Sequence, residues 1–338
     1  MSSNSRDLTL VTGATGYIGR ALVARLLAES RPVRLLVRAA RLNDIAALWP
    51  GQAPQICIGD IGESASLRAA VTDVDTVLHL ASHSPRKRVP GVDPIAGHWR
   101  VTAEGTQALV GEAQRAGVRR FVLVSSVRVL SEGSSHGLDE SSVVAPTSAY
   151  GRAKLAAEDA VRAANKLEGS ILRLPSVYGV GGESFVSQMI SAVERGWFPP
   201  PPRTANKRSM IHVEDAITAL LLLARRPEAV GKTYIATDGE LHSTHEIYKK
   251  VCAALGRPAS RWATPAACLR VAATVGDVLG RLSGRPMPFD RQGFEKLVGS
   301  AWYGSAKIIR ELGFEPQQNL RSALPAMVAF YRESRRGS

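Results

Sequence analysis

Thr12-Gly13-Ala14-Thr15-Gly16-Tyr17-Ile18-Gly19 is the stretch on which the reading of this chain turns. Ahead of it, Leu8-Thr9-Leu10-Val11 is short, aliphatic and β-branched, the pattern of a buried strand. Behind it, Arg20-Ala21-Leu22-Val23-Ala24-Arg25-Leu26-Leu27 repeats its apolar residues at helical spacing with arginines between. Strand, glycine turn and helix in that order predict a dinucleotide-binding βα unit. Glycine lets the turn take φ > 0 and lets a pyrophosphate approach the backbone. The helix N-terminus then offers unpaired amides to that anion. Gly13, Thr15, Gly16, Tyr17, Ile18 and Gly19 are therefore candidate cofactor-binding residues. The plain alternative is an ordinary glycine-rich turn; three glycines alone would not decide between them, and the flanks favour the cofactor.

The flanking strands carry the next candidates. Val33-Arg34-Leu35-Leu36-Val37 reads as a second strand ending at Arg38, with Arg41 just beyond. In such a unit this position faces the adenine ribose, where an acid suits the 2′-hydroxyl of NAD and an arginine the 2′-phosphate of NADP. Arg38 thus points to NADP, with NAD still allowed. Gln55-Ile56-Cys57-Ile58 is a third strand running into Asp60 and Ile61, at the ligand side of the sheet. Thr76-Val77-Leu78-His79-Leu80 is a fourth, followed by Ala81; His79, inside an apolar run, reads as a core residue. Arg86-Lys87-Arg88 lie in a loop, where a charge run is usually solvated and a phosphate contact is the alternative. Val101 to Ala116 predicts a helix stopped by Gly117. Phe121-Val122-Leu123-Val124 is a fifth strand ending in Ser125-Ser126, and Ile171-Leu172-Arg173-Leu174 a sixth. Strands alternating with helices predict an α/β fold with a Rossmann-type, doubly wound parallel sheet.

From about Val177 the pattern becomes strand-poor. We expect a dinucleotide-binding domain over 1–176 and a smaller, mostly helical substrate-binding region over 177–338 that shares elements with it. Tyr178 to Gly182 reads as a turn, Pro199 to Pro202 as extended chain, and 265–335 as mostly helix.

Composition narrows the function classes. The 338 residues are 45% hydrophobic, as in a globular protein of one large domain or two ordinary ones. Cys57, Cys252 and Cys268 lie far apart, which predicts no metal site and a reducing, cytoplasmic setting. The most apolar windows, 219–224 and 265–282, are too short or too interrupted by charge for an integral membrane segment. The net charge of +13 allows nucleic acid, an anionic membrane surface or an anionic small molecule. Scattered arginines without aromatic interleaving speak against nucleic acid and leave solvated arginines, or a phosphorylated cofactor and substrate.

Tyr150 and Lys154 stand four apart at the start of a helix and so share a face. A lysine ammonium can lower the pKa of a neighbouring phenol, and the pair can then move a proton on and off a carbinol. Ser126, at the end of the fifth strand, can hold the same substrate oxygen.

Taken together, these residues resemble the extended short-chain dehydrogenase/reductases, the NAD(P)-dependent epimerase/dehydratase family. The likeness rests on Thr12–Gly19, Asp60, His79-Leu80-Ala81, Ser125-Ser126, Tyr150–Lys154, Leu174-Pro175 with Tyr178-Gly179, Arg208-Ser209 to Asp215, and Leu312–Pro316. It implies Ser126, Tyr150 and Lys154 as the catalytic triad, with Lys154 also on the nicotinamide ribose. It implies that Asp60 and Ile61 bracket the adenine and that Leu80 and Ala81 line the dinucleotide path. Arg208 matches an arginine that contacts the substrate diphosphate in nucleotide-sugar members. Three positions depart from the pattern: Thr102 where an Asn is usual, Arg38 where NAD-using epimerases prefer an acid, and Ser176 where many nucleotide-sugar members have Asn. The resemblance makes a nucleotide sugar the first expected substrate, through epimerisation or 4-keto reduction, and a small hydrophobic carbonyl or sterol the second. A homodimer is compatible with either.

Overall fold

The computed structural model describes residues 7–336 except 53, 84–93, 131–135, 197, 284–286 and 288. Its main layer is a seven-stranded sheet of β1 (Thr9–Thr12), β2 (Val33–Val37), β3 (Gln55–Ile58), β4 (Thr76–His79), β5 (Arg120–Ser126), β6 (Glu168–Leu174) and β9 (Thr233–Ile235). The spatial order is β3-β2-β1-β4-β5-β6-β9, and every pairing in it is parallel. The order reverses between β1 and β4, which opens a crevice at the carboxyl ends of those strands.

Helices cover both faces of the sheet, and so its central strands read as unbroken apolar runs rather than as alternating ones. On one face α1 (Tyr17–Ala28) and α8 (Val213–Arg225) bury Leu22, Val23 and Leu26 with Ile217, Leu220 and Leu223. On the other, α3 (Ser64–Val71), α5 (Gly105–Ala116) and α6 (Ala149–Arg162) bury Leu67, Leu109, Val110, Ala157 and Val161. Two short helices, α2 (Leu42–Leu48) and α4 (Pro94–Gly97), fill connections.

The second half is built around α7 (Phe185–Glu194), α9 (Thr244–Ala254) and α13 (Leu320–Arg336), which share a core with Tyr178 and Met210. An α10 (Ala266–Ser283) and α11 (Arg291–Val298) pair forms a satellite cluster, and α12 (Ala306–Leu312) returns to the sheet.

Three local readings change. The helix expected from Val101 begins earlier, as a π-helical stretch over His98–Glu104 that runs straight into α5. The strand-poor second half contains a small sheet, β10-β8-β7, of β7 (Ser176–Tyr178), β8 (Arg208–His212) and β10 (Leu241–His242). Strands of two to five residues with charged or imidazole ends show too little period to be seen in sequence. The segment read as a turn from Tyr178 thus starts on a strand, and its turn proper holds Gly179 at φ +138° and Gly181 at φ +76°. Arg86-Lys87-Arg88 lie outside the described residues.

Candidate active site

The glycine turn behaves as its sequence requires. Gly13 sits at φ +71°, and a Cβ there would lie 2.7 Å from the Ala81 nitrogen, so the turn packs directly on the chain leaving β4. A Cβ on Gly19 would meet the Gly13 oxygen at 2.1 Å, so only glycine lets α1 start this close to β1. Gly16 is exposed and precedes α1 without a side-chain cap, and the first turn of the helix carries no acid. The amides of Tyr17, Ile18 and Gly19 have no intrahelical acceptor at this position. Thr15 is half-buried beside them. An anion-binding cradle of this shape fits a dinucleotide pyrophosphate.

Tyr17 lies between the two halves. Cβ atoms on Gly179 and Gly182 would clash with its hydroxyl and ring, at 2.6 and 2.5 Å. Its buried hydroxyl has no hydrogen-bond partner among the described residues, and burial raises its pKa.

The other candidates lie at the strand ends around the crevice. Arg38 is exposed at the end of β2. Asp60 follows β3 and accepts from the Gly62 amide at 2.9 Å, while Ile61 is buried beside Gly105. Leu80 and Ala81 are half-buried where β4 ends, and the Ala81 amide donates to Thr12 Oγ1 at 3.3 Å. His79 is a core residue: Thr12 Oγ1 and Thr106 Oγ1 hold its two nitrogens at 2.6 and 2.9 Å, and burial pushes its pKa down to about 3. Thr102, at the departure from the family pattern, pairs with Ser82 Oγ at 3.0 Å and accepts from the His83 amide at 3.1 Å. It thereby ties the π-helical stretch to the end of β4.

Tyr150 lies beside Ser126 at the carboxyl end of β5, and Lys154, one turn further along α6, reaches the backbone of the same strand. Ser148 caps α6 by accepting from the Gly151 amide, which fixes the first turn that carries Tyr150. Burial raises the phenol's pKa, while a hydrogen bond with Ser126 and the charge of Arg128 lower it. Arg128 lies over the Tyr150 ring at 5.8 Å. Lys154 is buried and donates from Nζ to the Val124 carbonyl at 2.8 Å. Desolvation brings its ammonium down to about 8, and Glu158 opposes the fall. Among the charges around the phenol, Arg128 is the cation that lowers its pKa, while Lys154 is held on the Val124 carbonyl.

Other residues here escaped the sequence reading. Glu158, one turn beyond Lys154, is fully buried and binds Ser125 Oγ at 2.6 Å and Arg173 at 2.9 and 2.7 Å, with Arg162 on its outer side. Its signal was available as a third residue on the four-residue spacing of Tyr150 and Lys154. His98 stands edge-on to Tyr150 at 5.5 Å, with His83 behind it at 5.0 Å. Burial and neighbouring positive charge lower the pKa of His98. Nothing in the spacing of those histidines pointed to Tyr150.

On the substrate side, Arg208 opens β8. Its Nε donates to Thr244 Oγ1 and its Nη2 to the Gly299 carbonyl, both at 3.3 Å, and its guanidinium covers the Phe185 ring at 5.2 Å. Burial lowers its pKa to about 10. Phe185 also belongs to the aromatic cluster under α10 and α11, with Phe198, Phe289 and Phe294.

Residues 9–236 match the model of the NAD dependent epimerase/dehydratase family. The chain belongs to that family. A UDP-glucose 4-epimerase of Vibrio cholerae is 28% identical over 320 residues, 92% of each chain. A sterol demethylase protein B of Methylococcus capsulatus is 30% identical over 347 residues, 96% of this chain and 98% of the other. The structure of DesIV, a dTDP-glucose 4,6-dehydratase of Streptomyces venezuelae with NAD bound, matches with a TM-score of 0.76 at 26% identity, covering 98% of both chains. The seven-stranded sheet and its crevice are thus those of an NAD(P)-dependent epimerase/dehydratase-type enzyme.

Proposed function

We propose that this family member is an NADP(H)-dependent oxidoreductase acting at a carbinol or ketone carbon, with Ser126, Tyr150 and Lys154 as its catalytic residues. The observation that supports the reading is Tyr150 hydrogen-bonded to Ser126 at the end of β5, with Lys154 held on the Val124 carbonyl of that strand. A bound nicotinamide dinucleotide supplies the hydride donor or acceptor. The Ser126 hydroxyl holds the substrate oxygen, and the Tyr150 phenol gives or takes its proton. The Ser126 hydrogen bond and the charge of Arg128 keep that phenol acidic enough to do so, and the Lys154 ammonium would reach the ribose. Gly13, Thr15, Gly16, Tyr17, Ile18 and Gly19 hold the pyrophosphate, Asp60 and Ile61 the adenine, and Leu80 and Ala81 the path between. Arg38, exposed and with no acid beside it in the β2 sequence, selects the 2′-phosphate of NADP.

For the substrate, a lipophilic alcohol or ketone is the reading we favour. Arg208 is anchored by Thr244 and Gly299 against an aromatic cluster, Ser176 replaces the Asn of nucleotide-sugar members, and the M. capsulatus relative is named for sterol chemistry. Arg208 itself supports the second reading, a nucleotide sugar whose diphosphate it would meet, in line with the V. cholerae relative. Steady-state NADPH consumption separates them. We expect turnover with long-chain or steroid-type ketones; turnover confined to nucleotide 4-ketosugars would put the second reading first. Sugar epimerisation without net NADPH consumption would overturn the reductase reading.

A further inference from the structure

The two sides of α10 differ in what they meet. Leu269, Ala273 and Gly276 face inward, towards Phe294 and Leu297 of α11, and a Cβ on Gly276 would strike the Phe289 carbonyl oxygen at 2.0 Å. The opposite side is Cys268, Val271, Ala272, Val275, Val278 and Leu279, all exposed. At 100° per residue these six fill an arc of about 120° without a polar side chain among them. Val271 is 64% exposed, Val275 and Val278 each 50%, and Leu279 49%. Just before the helix, Trp262 is 85% exposed. Single exposed aliphatic residues are ordinary, but a contiguous stripe with a tryptophan beside it marks a surface that something covers.

Charge says what that something is. Of the arginines near α10, Arg257 pairs with Glu194 and Arg291 with Glu295, at 3.1 and 3.2 Å, while Arg261 and Arg270 are exposed with no acidic partner among the described residues; the nearby acids are Asp277 and Asp290. Both acids are engaged with backbone amides at the start of α11, the Arg291 and Gly293 amides at 3.4 and 2.8 Å. A second copy docked through this face would bring two copies of Arg261 and Arg270, on chains of net charge +13, together, which opposes it. A surface of acidic lipids would meet Arg261 and Arg270 with opposite sign, and the whole chain's +13 would draw it in. An apolar stripe, flanking arginines and a neighbouring exposed tryptophan are the parts of a helix that lies in a lipid headgroup layer without crossing it. Among the described residues no helix is long and apolar enough to cross a membrane.

We infer that α10 docks this protein on an anionic lipid surface, with Val271, Val275, Val278 and Leu279 entering the headgroup boundary. Behind α10 lies the Phe185 cluster that meets Arg208, so docking sets the substrate side of the molecule against the lipid. The inference goes beyond the proposed chemistry, and its test uses neither cofactor nor substrate, so the two can fail separately.

The test is co-sedimentation of the full chain with vesicles of phosphatidylcholine containing phosphatidylglycerol, and with phosphatidylcholine alone. Wild-type protein is expected to partition to the acidic vesicles, and less so as salt rises. Val275→Asp/Val278→Asp should weaken that partitioning at least about tenfold at an unchanged melting temperature, since both positions are solvent-exposed. Failure of wild type to bind, or undiminished binding by this variant, overturns the inference. So does a wild-type dimer that the same variant splits into monomers without any vesicle binding, which would assign the face to a second copy. A Val275→Lys/Val278→Lys variant that binds as tightly as wild type would assign the attraction to charge alone and overturn the apolar seat.

Discussion

Burial brings the Lys154 ammonium down to about 8. If the proton on Nζ supports the work of Tyr150, kcat/KM should fall as pH rises through about 8, because the neutral amine is then the majority form. A pH–rate profile flat to about pH 10, where a free lysine titrates, would remove Lys154 from that role. Glu158 is the counterpart: a fully buried carboxylate between Ser125 and Arg173, which is itself 2% exposed. Glu158→Gln leaves the Arg173 charge buried without its partner and should destabilise the fold by about 3–5 kcal/mol, read by urea unfolding. A change below about 1 kcal/mol would show that Arg173 finds water or another acceptor. Tyr150 and Lys154 were legible in sequence because their chemistry is unusual and their spacing local. Glu158 shares the spacing but not the rarity, and its meaning depends on Arg173, a contact across 15 residues that no local pattern shows.

At the scale of elements, the βα unit at Thr12–Gly19 was readable because glycine has few substitutes where backbone meets backbone. Gly19→Ala should therefore do more than lower helix entropy. Its methyl would sit 2.1 Å from the Gly13 oxygen, which only a backbone shift relieves. The expected result is loss of NADP binding by calorimetry together with a lower melting temperature; an unchanged dissociation constant would show that this turn does not hold the cofactor. The end of β2 carries the choice of cofactor. A charge-assisted bond from Arg38 to a phosphate contributes roughly 1.5–3 kcal/mol, so NADP should bind about ten- to a hundredfold tighter than NAD. Arg38→Asp should reverse the order by repelling the phosphate and accepting from the ribose. Wild-type protein that binds both equally would contradict the assignment. The elements misread from sequence were those with weak period: β7, β8 and β10, and the π-helical turn at His98–Glu104, where Thr102 rather than hydrophobic spacing ties the chain to β4.

For the whole molecule, the alternation of strands and helices up to β6 was enough to foresee a doubly wound sheet, since the central strands β1, β4 and β5 are buried and the helices pack apolar faces on them. What sequence could not place was the return of the chain. The seventh strand, β9, comes from beyond residue 176 and pairs with β6, and α8 covers the face shared with α1. A division at 176 as we propose it is thus functional, between cofactor and substrate, with both regions contributing to the main sheet. At the centre of the proposed chemistry, Tyr150 moves a proton as hydride passes between the nicotinamide and a substrate carbon. The most direct measurement follows deuterium from C4-labelled NADPH into a lipophilic ketone, for wild type and for Tyr150→Phe. The account predicts label at the new carbinol carbon with wild type, and a rate lower by roughly 10²–10⁴-fold with the variant. A variant that keeps more than about a tenth of the wild-type rate, with label delivered to the same carbon, would contradict it.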